Sequence, residues 1–372
     1  MGDTISLGRI AGVRIGINWS WAVVFALITW TLATNVFPSQ NPDLSTSAYV
    51  AMAVIAALLF FLSLLLHELG HALQARREHV EIDGITLWLF GGVAKFKGDL
   101  PSAGAEFRIA AAGPLVTLVL GLFFVFLAGA ASLPEAMDGV AAWLGYTNVA
   151  LLVFNLLPAL PLDGGRVLRS LLWMRSDDRA AATATAGGVA RVLSYLLISL
   201  GVALFLFSGA LGGAWLALIG WFVLQASRAE VRWAAAAQAL AGLHVGDLMT
   251  RDPVSVPPSM RLGRFVDDVV WGHRYTTYPV VEDGRVIGLL PFRSVAQAAR
   301  ADWDELTVRD CMLSIEQTPI LHEVEDAAQA LVQLQESGVN RGLVIEDGRL
   351  TGILSVTDIA AALEIRDLRQ RR

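Results

Sequence analysis

The chain has 372 residues, 55% of them hydrophobic and 17% charged, with a formal net charge of −6 at pH 7. Soluble domains carry about a quarter charged residues, so this composition excludes an ordinary soluble protein over the whole length. The negative charge, and the lack of a basic stripe in the sequence, argue against a nucleic-acid partner. The single cysteine, Cys311, excludes an internal disulfide bond and is typical of a reducing compartment.

Long uncharged stretches concentrate before position 233. Each is long enough to cross a membrane, which takes about 20 apolar residues. The first begins near Ile17 and is too long for the apolar region of a cleaved signal peptide. The last, from Val192 to Ser227, has room for two helices separated by the turn-prone Gly212 and Gly213. The pattern predicts six membrane spans, near residues 18–37, 49–72, 107–131, 139–160, 187–208 and 212–228.

Positive charges lie on only one side of these predicted spans. Arginines and lysines precede the first span, separate the second from the third and the fourth from the fifth, and follow the sixth, whereas the other three loops contain none. By the positive-inside rule, both termini are therefore cytoplasmic. The second and fourth spans then run in the same direction, so His71 and Asp163, near their C-terminal ends, lie at a similar depth.

The segment His67-Glu68-Leu69-Gly70-His71 matches the H-E-x-x-H pattern at the end of the second apolar stretch. On a helix the two histidines lie on one face and can reach one metal ion, with the glutamate beside them as a general base. Placing histidine or glutamate inside a membrane costs free energy, so such residues usually have a function there. The alternative is a set of interfacial residues that face lipid headgroups.

A catalytic zinc takes three protein ligands, so a third must come from elsewhere in the chain. The best candidate is Asp163, which follows the helix-breaking Pro158 and Pro161. Irregular backbone at membrane depth is tolerated only where it lines a cavity or is buried in protein. The alternative role for Asp163 is the N-cap of the next helix. The competing carboxylates, Asp177 and Asp178, lie among arginines and are typical of a solvated loop.

The segment from Gly84 to Phe96 has the β-branched and aromatic content of paired strands. Gly91 and Gly92 within it suit a bulge or the close approach of another backbone. Such an edge, with Val93 after the glycines, could bind an extended peptide by strand addition. The alternative is a plain interfacial hairpin that covers the site.

After position 245 the chain changes character, and two similar units begin at Val245 and Val308. Each has a strand-like patch, an amphipathic helix and a pair of strands joined at a Glu-Asp-Gly turn, residues 282–284 and 346–348. The predicted boundaries are 1–232 for the membrane domain, 233–244 for a linker, 245–305 for the first unit and 306–372 for the second.

The chain resembles the site-2 proteases, which are intramembrane zinc metalloproteases, and specifically their bacterial branch with a C-terminal pair of CBS domains. The resemblance covers essentially the whole chain and rests on residues 67–71, residues 155–165, Phe90-Gly91-Gly92-Val93 and Ala112-Gly113-Pro114. It implies a polytopic α-helical membrane protein with a small membrane-associated β-hairpin and a cytoplasmic α/β CBS pair.

The resemblance also implies site residues. His67, His71 and Asp163 would bind one zinc ion per chain, and Glu68 would be the general base. Asn155, a lone polar side chain beside the proline break, would stabilise the oxyanion, with Asn148 as a second candidate; both could instead form interhelical hydrogen bonds. The sequence departs from many relatives at Thr117, where they carry asparagine, and we expect this to affect helix packing and not chemistry.

The resemblance implies a bacterial cell-membrane location and a membrane-tethered substrate, such as an anti-sigma factor, a membrane-bound transcription regulator or a signal-peptide remnant. In CBS domains the pattern Gly352-Ile-Leu-Ser355-Val-Thr357-Asp358 binds ribose and phosphate, so Ser355, Thr357 and Asp358 predict a site for ATP, ADP or AMP. The first unit, with Pro291 and Arg293 at the matching positions, lacks this pattern. The alternative is a structural module that forms a homodimer, with Ser355 and Asp358 as helix caps.

A second function class remains open from the residues alone. A channel or transporter with a CBS regulatory tail would also have apolar spans with polar groups. The sequence shows no paired inverted halves, and a transport path does not need a general base beside two imidazoles at i and i+4. A catalytically inactive scaffold would have lost Glu68 or a ligand, and none is lost.

Overall fold

The computed structural model describes residues 4–88, 91–97, 100–130, 132–273 and 275–370. The chain divides into two compact units, residues 1–232 and 233–372. We describe each unit by itself.

The first unit begins with a four-stranded sheet in the order β1-β2-β3-β4. The sequence pattern predicted only the strands that correspond to β3 and β4, which pair antiparallel; residues 89–90 between them, including Phe90 of the family motif, lie outside the described residues. The sequence pattern did not predict the N-terminal hairpin. In the structure, Ala11 and Gly12 form its tight turn with positive φ. The strands are β1 (Thr4–Ile10), β2 (Val13–Asn18), β3 (Glu81–Trp88) and β4 (Gly91–Lys97).

Helices form the rest of the first unit. Within the described residues, five segments are long and apolar enough to cross a membrane, and they overlap the first five predicted spans: Ser20–Gln40, Thr46–Arg77, Ala103–Gly129, Glu135–Asn155 and Arg179–Ser208. Residue 131, the predicted end of the third span, lies outside the described residues, and residues 212–228 of the sixth prediction lie in α8. The helices are α1 (Ser20–Thr31), a π-helical turn (Leu32–Val36), α2 (Phe37–Gln40), α3 (Thr46–Arg77), α4 (Ala103–Ala130), α5 (Glu135–Asn155), α6 (Asp163–Ser176), α7 (Arg179–Ser208) and α8 (Leu211–Leu240).

Helix α3 is the central element of this unit. It begins at the N-cap Ser45, whose side chain accepts a hydrogen bond from the Ala48 amide. It ends with Arg76 and Arg77, whose positive charges interact favourably with the negative end of the helix dipole. Its buried face is rich in alanine, including Ala53, Ala56 and Ala57, so neighbouring helices can approach closely. The buried residues further along α3 include His67 and His71 of the H-E-x-x-H segment.

A short irregular segment joins α5 to α6. The Leu160–Pro161 peptide bond is cis, and α6 starts two residues later at Asp163. The first turn of α6 lies directly on this segment, because a Cβ atom at Gly164 would overlap the Leu156 carbonyl and one at Gly165 would overlap the backbone of Ala159 and Leu160. The two glycines therefore allow a backbone contact that fixes where α6 begins.

The second unit contains two repeats and two sheets, in the orders β6-β7-β8 and β5-β11-β10-β9, and each sheet includes one short strand from the other repeat. Both Asp-Gly turns predicted from the sequence have positive φ, at residues 283–284 and 347–348. The first repeat has α9 (Val245–Leu248), β5 (Thr250–Arg251), α10 (Leu262–Arg264), a π-helical turn (Phe265–Val270), α11 (Trp271–His273), β6 (Thr277–Glu282), β7 (Arg285–Pro291), α12 (Phe292–Gln297) and a 3-10 turn (Arg300–Asp302). The second has α13 (Val308–Cys311), β8 (Leu313–Ser314), a 3-10 turn (Ile315–Gln317), β9 (Ile320–Leu321), α14 (Ala327–Glu336), β10 (Arg341–Glu346), β11 (Arg349–Ser355) and α15 (Val356–Gln370).

Candidate metal centre

Two histidines of α3 point to one place. His67 and His71 are four residues apart, so one helical turn stacks them on the same buried face. Their rings meet edge to face, with centroids 4.8 Å apart, and their Nε2 atoms are 3.1 Å apart. The two Nε2 atoms are therefore close enough to bind one metal ion.

Asp163, the first residue of α6, completes the cluster. One carboxylate oxygen lies 3.2 Å from His67 Nε2 and the other 3.3 Å from His71 Nε2. All three residues are buried, and their donor atoms lie within 4.8 Å of one another. Among the described residues, no other group of three histidine, cysteine or acidic side chains could bind a metal ion in this way.

The geometry of these donors fits a zinc ion. Four ligands at about 2.0–2.1 Å in a tetrahedron stand about 3.3–3.4 Å from one another. The three donor separations at this site, 3.1, 3.2 and 3.3 Å, are close to that edge length. Two imidazoles and one carboxylate are also a donor set of catalytic zinc, in which the fourth position stays open for water.

The opposite ring nitrogens of both histidines are hydrogen-bonded to α4. His71 Nδ1 lies 2.7 Å from the Ile109 carbonyl, which can only accept, so this nitrogen donates and leaves the Nε2 lone pair for a metal. His67 Nδ1 lies 2.8 Å from the Thr117 hydroxyl. That hydroxyl donates to the Gly113 carbonyl at 3.3 Å, so its lone pair can accept from His67 Nδ1–H.

Two glycines let backbone approach the centre. A Cβ atom at Gly113 of α4 would overlap His71 Nε2 and lie 2.8 Å from His67 Cε1. A Cβ atom at Gly92 of β4 would overlap Cγ of Glu68 and lie 3.0 Å from its carboxyl carbon. The sheet edge therefore lies beside Glu68, whose side chain is half-buried and has no hydrogen-bond partner within the described part of the chain.

A buried ion cluster ties α6 to two other helices. Arg169 of α6 donates through Nε, at 2.8 Å, and through Nη2 to one carboxylate oxygen of Glu106 on α4. Its Nη1 donates to Glu230 of α8 at 2.8 Å. Arg169 and Glu106 are only 5% and 2% exposed, so this is a desolvated ion pair and not a surface contact.

The remaining candidates of the metal centre have different surroundings. Asn155 is the last residue of α5, half-buried, and its amide has no hydrogen-bond partner among the described residues. Asn148 is fully buried and donates to the Leu144 carbonyl at 2.8 Å, as an intrahelical hydrogen bond. Asp178 caps α7 by accepting from the Ala180 and Ala181 amides, and the adjoining Asp177 ends α6 in a left-handed conformation.

The residues of the nucleotide pattern begin α15. Asp358 accepts from the Ser355 amide at 2.9 Å, and the two side chains hydrogen-bond to each other at 2.6 Å. These contacts are those of a helix cap, the alternative that the sequence left open. Thr357 between them is exposed.

The sequence reasoning missed four contacts to the centre. Ile109, Gly113 and Thr117 touch the histidines, and Glu106 binds the arginine on the helix of Asp163. The expectation that Thr117 affects helix packing and not chemistry stays a prediction, but it did not anticipate that the Thr117 hydroxyl contacts His67 Nδ1. A usable signal was present: these four residues are spaced by three, four and four positions, which places them on one face of a helix.

Comparison with known proteins gives consistent matches. The family model described as peptidase family M50 matches residues 55–141 and 130–200, and the CBS domain model matches residues 245–301 and 308–365. Rip3 of Mycobacterium tuberculosis, which bears the name of a zinc metalloprotease, is 38% identical over 376 aligned positions, covering 100% of this chain and 95% of Rip3. A zinc metalloprotease of Methanocaldococcus jannaschii is 31% identical over 370 positions, covering 100% of this chain and 99% of that protein. The solved site-2 protease from Methanocaldococcus jannaschii is 26% identical, covers 62% of this chain and 95% of that chain, and gives a TM-score of 0.42.

The chain therefore belongs to peptidase family M50, the site-2 proteases, and carries a pair of CBS domains. It is a zinc metalloprotease and a membrane protein. The family predicted from the sequence is confirmed, and this membership favours the protease over the channel or transporter.

Proposed function

We propose that this protein is an intramembrane endopeptidase, which hydrolyses a peptide bond in or near the transmembrane segment of a membrane-tethered protein. The observation that supports this most is the location of His67, Glu68 and His71 on α3, because α3 is itself long and apolar enough to span a membrane. The proposal includes six spans with both termini cytoplasmic, in a bacterial cell membrane, as the charge asymmetry of the loops predicts.

In this proposal His67, His71 and Asp163 hold one zinc ion. Bound zinc supplies Lewis acidity to the scissile carbonyl and favours ionisation of water at neutral pH. All three side chains are buried. The hydrogen bonds at Nδ1 of His67 and His71 keep both imidazoles in the tautomer that offers Nε2 to the metal.

Glu68 is the proposed general base. Its carboxylate has no competing hydrogen bond among the described residues and lies next to His67 in the chain. It would accept the proton of the attacking water and then pass it to the leaving amine, a role that contributes about 10²–10⁴-fold to rate. Asn155 is the proposed donor to the oxyanion, since its amide at the end of α5 is not used elsewhere in the described structure.

The proposed substrate site is the edge strand β4. A transmembrane substrate must be unwound before its amide can be attacked, and an edge strand can hold the unwound segment by main-chain hydrogen bonds. Residues Gly91, Gly92 and Val93 begin β4, the last strand in the sheet order. The close approach of Gly92 to Glu68 supports this site, because a peptide paired with β4 would lie beside the general base.

Replacing Glu68 with glutamine tests the proposed chemistry. Full-length protein in detergent should retain about one zinc per chain, since the ligands are unchanged, and cells should accumulate uncleaved membrane-tethered substrate. Glu81→Gln is the matched control, because Glu81 is exposed at the start of β3. Normal cleavage by Glu68→Gln would refute the assignment of the general base.

Cross-linking tests the substrate strand. A Cys311→Ser background removes the single cysteine, after which Val93→Cys on β4 is paired with a substrate that carries one cysteine near its cleavage position. Ser6→Cys on β1 is the control, since β1 is the opposite edge of the same sheet. Disulfide formation at position 93 and not at position 6 supports strand addition at β4, and equal yields at both positions contradict it.

For the second unit we propose domain boundaries of 245–305 and 306–372 after a connecting segment, 233–244, with both CBS units cytoplasmic and able to form a homodimer. We also propose that Ser355, Thr357 and Asp358 bind ATP, ADP or AMP and that this modulates cleavage. The exposed Thr357 at the start of the long helix α15 supports a phosphate contact there. A titration in which all three nucleotides leave cleavage unchanged removes the modulation.

A further inference from the structure

One face of α4 contacts both histidines of the metal centre and, through Glu106, the helix that carries the third ligand. The Ile109 carbonyl lies 2.7 Å from His71 Nδ1, and the Thr117 hydroxyl lies 2.8 Å from His67 Nδ1. Gly113, between them on the same face, has no side chain and so admits both imidazoles. The histidines are thus oriented by α4, although they belong to α3.

Asp163 itself forms no hydrogen bond or ion pair with α4 in the described part of the chain; its polar partners there are His67 and His71. Its helix, α6, is instead joined to α4 by the Arg169–Glu106 ion pair, one turn before Ile109 on the same face of α4. At the N-terminal end of α6, Gly164 and Gly165 lack side chains and so allow the first turn to lie against the backbone of the preceding segment. A helix of 14 residues clamped in two places can move neither along its axis nor around it without breaking a contact.

The chemistry of the pair suits a clamp. Arg169 uses two of its nitrogens on one carboxylate oxygen of Glu106, a charge-assisted contact that fixes the direction of the guanidinium. Both side chains are almost fully buried, so water cannot take the place of either partner. Removing both charges of an ion pair from water costs free energy unless the contact geometry is good. One of the best-attested roles of a buried ion pair is to fix how two helices are placed relative to each other.

We infer that Arg169 and Glu106 are positioning residues for the metal centre: their ion pair holds α6 against α4 so that the Asp163 carboxylate meets the two imidazoles. The inference rests on the proposed zinc site. It assigns no contact with substrate or zinc to either residue, and all of their effect on zinc binding passes through Asp163.

Zinc affinity of the full-length protein in detergent tests this inference, measured by competition with a chromophoric chelator. The paired variant Glu106→Gln/Arg169→Met removes both charges of the buried pair, leaves only the half-buried Glu230 without this partner, and should raise the dissociation constant of Zn²⁺ about 10–100-fold. Asp163→Asn, which removes a ligand, should raise it at least as much. The triple variant should match Asp163→Asn within about threefold, because residues that act through one another are not additive.

The matched control is Glu78→Gln/Arg108→Met. This pair joins α4 to Glu78, the residue that follows α3, and it is open to solvent on the arginine side, with Arg108 54% and Glu78 15% exposed. It should leave the dissociation constant within about twofold of that of the natural protein. Circular dichroism checks that each variant is folded. If the paired variant does not fold, Arg169→Lys replaces it, because lysine keeps the positive charge but lacks the planar guanidinium that donates from two nitrogens.

The outcomes separate the inference from the zinc site itself. If Asp163→Asn binds zinc as tightly as the natural protein, the proposed ligand set is wrong. If Asp163→Asn loses affinity while the Arg169 variants keep it, or if the triple variant loses the product of the two separate effects, the ligand set stands and the positioning role is overturned.

Discussion

Gly113 of α4 lies directly against His71 of α3, so closely that any side chain at position 113 would occupy the space of the His71 Nε2 atom. This contact brings the backbone of one helix to the edge of the metal centre. It also explains why a glycine stands in the middle of a long apolar helix, where it would otherwise weaken the helix.

Replacing Gly113 with alanine should therefore displace one or both imidazoles and abolish tight zinc binding, with a rise of at least about tenfold in the dissociation constant. Zinc content after dialysis and a chelator competition measure the effect. Gly129→Ala is the matched control on the same helix, because nothing lies within 4 Å of a Cβ atom there. Full zinc occupancy in Gly113→Ala would show that α4 can shift away from α3.

Thr117 should affect zinc binding through its hydroxyl and not through its volume. Thr117→Val keeps the shape of the side chain but removes the acceptor for His67 Nδ1–H, and we expect about 10–100-fold weaker zinc binding. Thr117→Ser restores the hydroxyl and should restore most of the affinity. Equal losses in the two variants would instead indicate a packing role.

Gly92 should affect catalysis without affecting the metal. A methyl group at this position would overlap Cγ of Glu68 and move its carboxylate, and the three atoms nearest to that methyl group all belong to Glu68 and not to a metal ligand. We expect Gly92→Ala to retain zinc and to lose about 100-fold in cleavage rate, the effect of a general base misplaced by about 1 Å. Cleavage and zinc content are measured on the same preparation, and a loss of zinc would contradict the prediction.

The two roles considered for the start of α15 can be separated by substitution. Asp358→Ala removes the carboxylate that accepts from the Ser355 amide at the start of α15 and should lower local stability by about 1 kcal/mol, seen as faster hydrogen exchange in residues 356–370 of the full chain. Thr357→Ala makes no difference to the cap, so its exchange should be unchanged. If nucleotide binds here, Thr357→Ala should weaken ATP affinity, and unchanged ATP binding to both variants would show that the pattern is structural.

Much of the fold could be predicted from local composition. The first five apolar segments correspond to long helices in the structure, because length and uncharged composition are properties of each segment by itself. The N-terminal hairpin was not predicted, since Val13 packs against Ala72 and Ile85 and Ile15 pairs with Ile85, all much later in the chain. The predicted sixth span stays a prediction.

The sequence by itself determined the family and the chemistry of the ligands: an H-E-x-x-H segment contains both imidazoles and the base within one helical turn, so their proximity follows from helix geometry. It also determined that Asp163 follows a proline break. Only the tertiary structure decided that Asp163 meets the imidazoles, that Thr117 contacts His67 and that Glu106 binds Arg169. Those contacts join residues far apart in the chain, and they depend on how α3, α4 and α6 pack, which no local pattern specifies.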